Sequence, residues 1–112
     1  MSRADQERMT DIAEAADGLA RRLDLSFEEW AVDEDLRLVT ERLVEIVGEA
    51  CRATSEELRQ AHPDIDWPGF IGLRNVLVHA YHRVQPDLLW AAATVDVPAL
   101  VASFRRSGLI DP

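Results

Sequence analysis

The chain has 112 residues with 12 basic against 21 acidic side chains, a formal net charge of -9, and every base is Arg because no Lys is present. This length accommodates one domain, taken as residues 1–112, and 47% hydrophobic residues exclude a disordered chain. The acid surplus excludes binding DNA or any nucleic acid through a broad cationic surface, and no polybasic segment exists to hold an anionic membrane.

The lone Cys51 has no partner for an internal disulfide, and no Cys pair exists to seat zinc, so neither metal nor cofactor is expected. No run of about 18–20 apolar residues stands out as a membrane span, and the opening residues are too polar for a signal peptide. A cytoplasmic location is the expectation.

Helical spacing dominates the chain. Residues 3–23 predict a first helix with Met9, Ile12, Ala13, Ala16, Leu19, Ala20 and Leu23 inward, followed by a short joint at residues 24–27. From residue 33 to about 51, Leu36, Val39, Leu43, Ile46, Val47 and Ala50 recur at steps of three and four, the pattern of a long amphipathic helix. Cys51 reads there as a small buried hydrophobe. A short helix over residues 55–60 has Glu56 and Glu57 near its positive N-terminal end. Residues 62–68 form the clearest loop, with His62 solvated or capping and Pro68 suited to a first helical turn. Another long helix should run to about residue 84. Pro86 then opens a short helix through Trp90, and residues 96–98 open a last one ending near Gly108. Trp30, Trp67 and Trp90 fall at helix ends and read as core anchors. The architecture expected is all-α, an up-and-down four-helix bundle with short extra helices.

The helix that starts near Pro68 is the unusual one. Its core side collects Phe70, Leu73, Val76, Leu77, Ala80 and Val84, while Arg74, Asn75, His79, Tyr81 and His82 share the other side. No acid accompanies them. Residues 1–66 carry eight arginines against eighteen acids, residues 67–86 two arginines and no acid, and residues 87–112 two arginines against three acids. The only cationic element is therefore this helix. Ile71 and Val78 fall on its polar side, where a monomer would expose them, and a second copy across a two-fold axis is the economical cover.

Arg, His, Asn and Tyr without a carboxylate pair suit binding and cleaving a phosphodiester, because Arg forks onto phosphate oxygens and His moves protons near neutral pH. Cleaving RNA without metal needs a base on the 2'-OH and an acid on the leaving 5'-oxygen, so a composite site at a dimer interface fits. His79 and His82 are three apart, a possible metal spacing, but no third ligand is evident. The ordinary structural reading of this face is an interface salt bridge for Arg74 and His79, a cross-dimer hydrogen bond for Tyr81, and structural bonding for Asn75. Glu49, on the preceding long helix, can pair with Arg74 or His79 and reads as a positioning group.

The run Arg74-Asn75-Val76-Leu77-Val78-His79-Ala80-Tyr81 fits Arg-x-x-x-x-His-x-Tyr and resembles the motif of HepT-like toxins in the HEPN superfamily. Residues 46–50, 62–67, 71–73, 87–90 and 96–100 fall in family order around it, so the resemblance covers nearly the whole chain. Ala80 stands where many relatives have Gly, and His82 where many have Phe or another bulky residue. The resemblance implies a HEPN homodimer that cleaves RNA without metal, with Arg74 and His79 catalytic and Asn75 and His82 on the substrate. It also implies a minimal nucleotidyltransferase antitoxin of the MntA type, which silences the toxin by transferring AMP from ATP to Tyr81. An added phosphate and adenosine there would occupy the Arg74 side of the groove and repel RNA.

Two rival readings of the same residues are a non-catalytic helical module that binds a nucleotide or the partner enzyme, and a plain dimeric scaffold.

Overall fold

The computed structural model describes residues 1–79 and 85–111, with the backbone alone at Arg74, Asn75, Val76, Val78 and His79. The described residues are helical and contain no strand. In chain order they form α1 (Arg3–Arg22), α2 (Phe27–Ala31), α3 (Glu34–Ala53), α4 (Glu56–Ala61), α5 (Trp67–His79), α6 (Pro86–Ala91), a π-helical stretch (Ala92–Asp96) and α7 (Val97–Arg106). The all-α expectation holds.

Four helices begin at a side chain that accepts one of the otherwise unpaired first-turn N–H groups. Ser2 accepts from Asp5 N–H at α1, Asp33 from Leu36 N–H at α3, and Ser55 from Leu58 N–H at α4. Ser26 and Glu29 form a reciprocal capping box at α2. That box starts a five-residue helix at the end of the expected joint, where no helix is expected from the sequence.

α3 is the organising element, packing extensively on α1 and on α5. Its innermost residues are Thr40, Val44, Val47, Gly48, Ala50 and Cys51, whereas Leu36, Leu43 and Ile46 are half-buried and Val39 is exposed. The buried stripe is thus rotated from the expected one. On α1 the buried set is Met9, Ile12, Ala15, Gly18 and Leu19, with Ala13 and Ala16 half-buried and Ala20 exposed. The cause is a close helix approach: a Cβ placed on Gly18 would lie 3.2 Å from Leu43 Cδ1. Small residues at the crossing draw the face of α1 toward Ala15 and Gly18, away from Ala20.

Trp30 anchors the core with no exposed surface, as expected of it. Its indole Nε1 donates to Thr40 Oγ1 at 3.0 Å, and that hydroxyl donates onward to Leu36 O at 2.7 Å. The buried N–H of an indole requires such an acceptor. Trp30 also packs against Phe27 and Trp90, with ring centroids 5.9 and 5.2 Å away.

The C-terminal region departs from expectation. No break separates α6 from α7; Val97 N–H reaches Ala92 O five residues back, and the helical path continues through Pro98. A proline inside a helix lacks its N–H and crowds the carbonyl four residues earlier, and a π-turn changes that spacing. Pro86–Arg106 is accordingly one helical run of 21 residues, long and apolar enough to cross a membrane by length and composition, contrary to the expected absence of such a stretch. Its Leu89, Val97, Leu100, Val101 and Phe104 are buried in the bundle's own core, the ordinary behaviour of a core helix.

Candidate functional site

The helix bearing the Arg-x-x-x-x-His spacing is α5, and its start is built with several independent fixings. Asp66 precedes it, accepting Gly69 N–H on Oδ1 at 3.1 Å while its carbonyl accepts Phe70 N–H. A carboxylate at that end also meets the positive pole of the helix. Trp67 is buried, its indole Nε1 donates to His62 O at 3.0 Å, and its ring lies 5.5 Å from that of Phe104 on α7. Pro68 occupies the first turn, where no N–H is needed.

Upstream, α4 is tied in two ways. Arg59 Nη2 donates to Thr54 O at 2.9 Å, satisfying a carbonyl beyond the last turn of α3. Ser55, the α4 N-cap, donates its N–H and hydroxyl to the buried carboxylate of Asp5 on α1, at 2.8 and 2.6 Å. Burial disfavours the ionised Asp5, but the Ser55 hydroxyl and amide, helped by Ser2 and the chain's N-terminal charge, outweigh it and hold the carboxyl below its usual range. Neither tie is legible in the sequence. Asp5 sits among ordinary helix-start acids in the sequence, and Ser55 lies 50 residues away.

Phe70, Leu73 and Leu77 are half-buried against the core, so the expected inner side of α5 is correct at these positions. Arg74 and Asn75 follow in the middle of the helix, and His79 is its last described residue. Arg74 and His79 are five positions apart on this helix, a rise of about 7.5 Å. Tyr81 and His82 lie outside the described residues, as do the side chains of Arg74, Asn75 and His79.

One expectation about this face changes. Ile71 is half-buried and packs against the core. It also lines a groove of about 570 Å³ with Pro63, Trp67 and Pro68. Its burial is thus partly met within the chain, because the loop before α5 folds back beside it. It no longer requires a second copy as cover, and Val78 lies among the side chains not described.

Glu49 is half-buried on α3, against which α5 packs, and its side chain is engaged rather than free. His62 takes the expected capping role, its N–H donating to Arg59 O at the end of α4. Cys51 is fully buried, and burial pushes its thiol up to about 12 despite the opposing pull of Arg59. That makes it inert as a nucleophile. Among the described residues, no three His, Cys, Asp or Glu side chains gather as metal ligands.

The profile of the family described as Ribonuclease HepT-like matches residues 12–106, a span that contains α3, α5 and the whole motif. A probable ribonuclease HepT of Thermococcus cleftensis is 30% identical over 107 residues, covering 95% of this chain and 97% of its own. An RNase candidate from Methanocaldococcus jannaschii is 33% identical, covering 89% of this chain and 94% of its own. Another from Caldanaerobacter subterraneus is 32% identical over 68% of each chain. No solved structure matches the chain significantly.

Proposed function

This chain belongs to the HepT-like ribonuclease family, and from that membership we propose that it is an RNA-cleaving toxin acting in the cytoplasm. The observation that carries the proposal is the family match across residues 12–106, which includes the Arg74–His79 spacing on α5.

The chemistry follows from those side chains. A base removes the proton of the ribose 2'-OH, the oxygen attacks the adjacent phosphorus, and the P–O5' bond breaks as an acid protonates the leaving oxygen. The products are a 2',3'-cyclic phosphate and a 5'-hydroxyl. His79 is assigned the proton transfer and Arg74 the charge that builds on the phosphate oxygens. One His79 per chain serves both ends of the reaction when two chains pair, so the active unit is a homodimer with a composite site. Asn75 and His82 hold the substrate, and no metal takes part.

Tyr81 is the point of control. A nucleotidyltransferase antitoxin brings its phenol oxygen to the α-phosphorus of ATP, pyrophosphate leaves, and Tyr81 carries AMP. The added anion beside Arg74 competes with the RNA backbone.

Purified protein incubated with labelled RNA in excess chelator tests this directly. Cleavage is expected from the wild type and from neither Arg74→Ala nor His79→Ala. Wild-type protein that leaves every RNA intact, with or without added divalent metal, overturns the enzymatic reading and favours a binding module.

A further inference from the structure

The groove beside α5 contains chemistry that the motif does not use. Its volume is about 570 Å³, with Pro63, Trp67, Pro68 and Ile71 as apolar walls and Glu56, Arg59 and Gln60 of α4 as a polar side. Apolar walls with a few polar groups are the usual make-up of a small-ligand site. The walls are held in place. Trp67 is anchored by its indole bond to His62 O, and Arg59 by the bond from Nη2 to Thr54 O.

Register puts this groove at the motif. Ile71 lies three and four positions before Arg74 and Asn75 on α5, and residues so spaced are neighbours on a helix surface. The rise from Ile71 to Arg74 is about 4.5 Å. A strand whose phosphate sits at Arg74 therefore has the groove within one helical turn.

The polar side decides what enters. Glu56 accepts Gln60 Nε2 on Oε1 at 3.3 Å, whereas Arg59, three residues on, turns its Nη2 to the carbonyls of Arg52 and Thr54 at 3.4 and 2.9 Å. Among the described residues no basic side chain forms an ion pair with Glu56. A carboxylate offers about four lone-pair sites, so most of its accepting capacity is open. It also repels phosphate, which leaves the backbone of a strand to Arg74 and favours a group that donates N–H.

Single-stranded RNA is read on the Watson–Crick edges of its bases, with their faces packed on side chains. Of the four bases, only guanine carries two adjacent N–H donors on that edge, N1–H and the N2 amino group. Adenine and cytosine set one amino donor beside a ring acceptor, and uracil sets one N–H between two carbonyls. We propose that the groove between α4 and the start of α5 holds a guanine of the RNA strand beside the cleaved bond, read by Glu56. The proposal rests on the ribonuclease reading above and adds a base preference to it.

Single-stranded RNAs that differ at one position, carrying guanine, inosine, adenine, cytosine or uracil there, test it, with cuts mapped by product mass. Wild-type protein is expected to cut beside guanine with kcat/KM about tenfold or more above adenine, cytosine and uracil. Inosine keeps N1–H and lacks the N2 amino group, so it should fall between. Glu56→Gln replaces two acceptors by one acceptor and one donor, and the ratio of guanine to adenine kcat/KM should fall by about tenfold. The inosine comparison needs no substitution, so it stands whatever Glu56→Gln does to folding.

Wild-type protein that prefers another base, or treats inosine like guanine, overturns the guanine site. So does a folded Glu56→Gln protein that keeps the wild-type ratio. Cutting that ignores the base overturns it too, leaving the groove to a protein partner and the ribonuclease reading standing. A wild type that never cuts RNA overturns both.

Discussion

The carboxylate of Asp5 accepts both the backbone N–H and the hydroxyl of Ser55, at 2.8 and 2.6 Å, joining the first turn of α1 to the cap of α4 across 50 residues of sequence. Through α4 and the loop that follows, this tie stabilises the approach to α5. Hydrogen bonds to a buried charge are among the stronger ones, and removing the acceptor strands two donors.

Asp5→Ala should therefore lower the unfolding free energy at pH 7 by about 3 kcal/mol. The pH dependence has a definite sign. Because the folded carboxyl lies below its unfolded value, its stabilisation is complete above that unfolded value and disappears as pH falls through the folded one. Urea titrations from pH 7 down to about pH 2 should show the wild type losing more stability than Asp5→Asn. Parallel curves would mean that Asp5 titrates alike in both states.

At the start of α5, the Asp66 carboxylate fills the space that a Cβ on Gly69 would take. Gly69→Ala gains up to about 1 kcal/mol of helix propensity but displaces a cap of about the same size, so alone it should be nearly neutral. Asp66→Ala should cost about 1 kcal/mol. In the Asp66→Ala background the alanine at 69 should become stabilising by about 0.5–1 kcal/mol. Thermal melts of the four proteins give the coupling, and strict additivity would contradict the shared space.

Cys51 should resist thiol reagents in the native protein at pH 8, since its thiol is fully buried and pushed up to about 12. Labelling should track unfolding as denaturant is added. Rapid modification under native conditions would show that the packing of α3 opens there.

His79→Ala should reduce RNA cleavage by about 10²–10⁴-fold and Arg74→Ala by about 10²–10³-fold, while both keep the wild-type far-ultraviolet circular dichroism. Tyr81→Phe removes the phenol oxygen proposed to accept AMP. Mass spectrometry after incubation with the nucleotidyltransferase and ATP should find AMP on the wild type and none on that variant; equal modification would place the acceptor elsewhere.

Much of this molecule could be read from local sequence. The bounds of α1 and α3 and the starts of α4 and α6 were legible, because Ser, Asp and Pro act on N–H groups within three or four residues of themselves. Ser26 and Glu29 carried the signal for α2, though a five-residue helix has too little apolar periodicity to announce itself. Ala20 and Val39 are exposed and Ile71 half-buried, against the expectation from spacing. Each sits near the edge of an apolar stripe, where its burial depends on a neighbouring segment: Leu43 crossing at Gly18 in one case, the loop of Pro63 beside Ile71 in another.

The sequence by itself determined the all-α architecture, the helix caps and the Arg74–His79 spacing with its freedom from acids. All of these depend on contacts within about one or two helical turns, and the side-chain pattern encodes those contacts directly. Only the tertiary structure decided which stripe of α3 faces inward, that Pro86–Arg106 runs on through Pro98, and that Asp5 meets Ser55. These are pairings between segments far apart in the chain, and a helical repeat specifies what each helix can bury without specifying what it will be buried against.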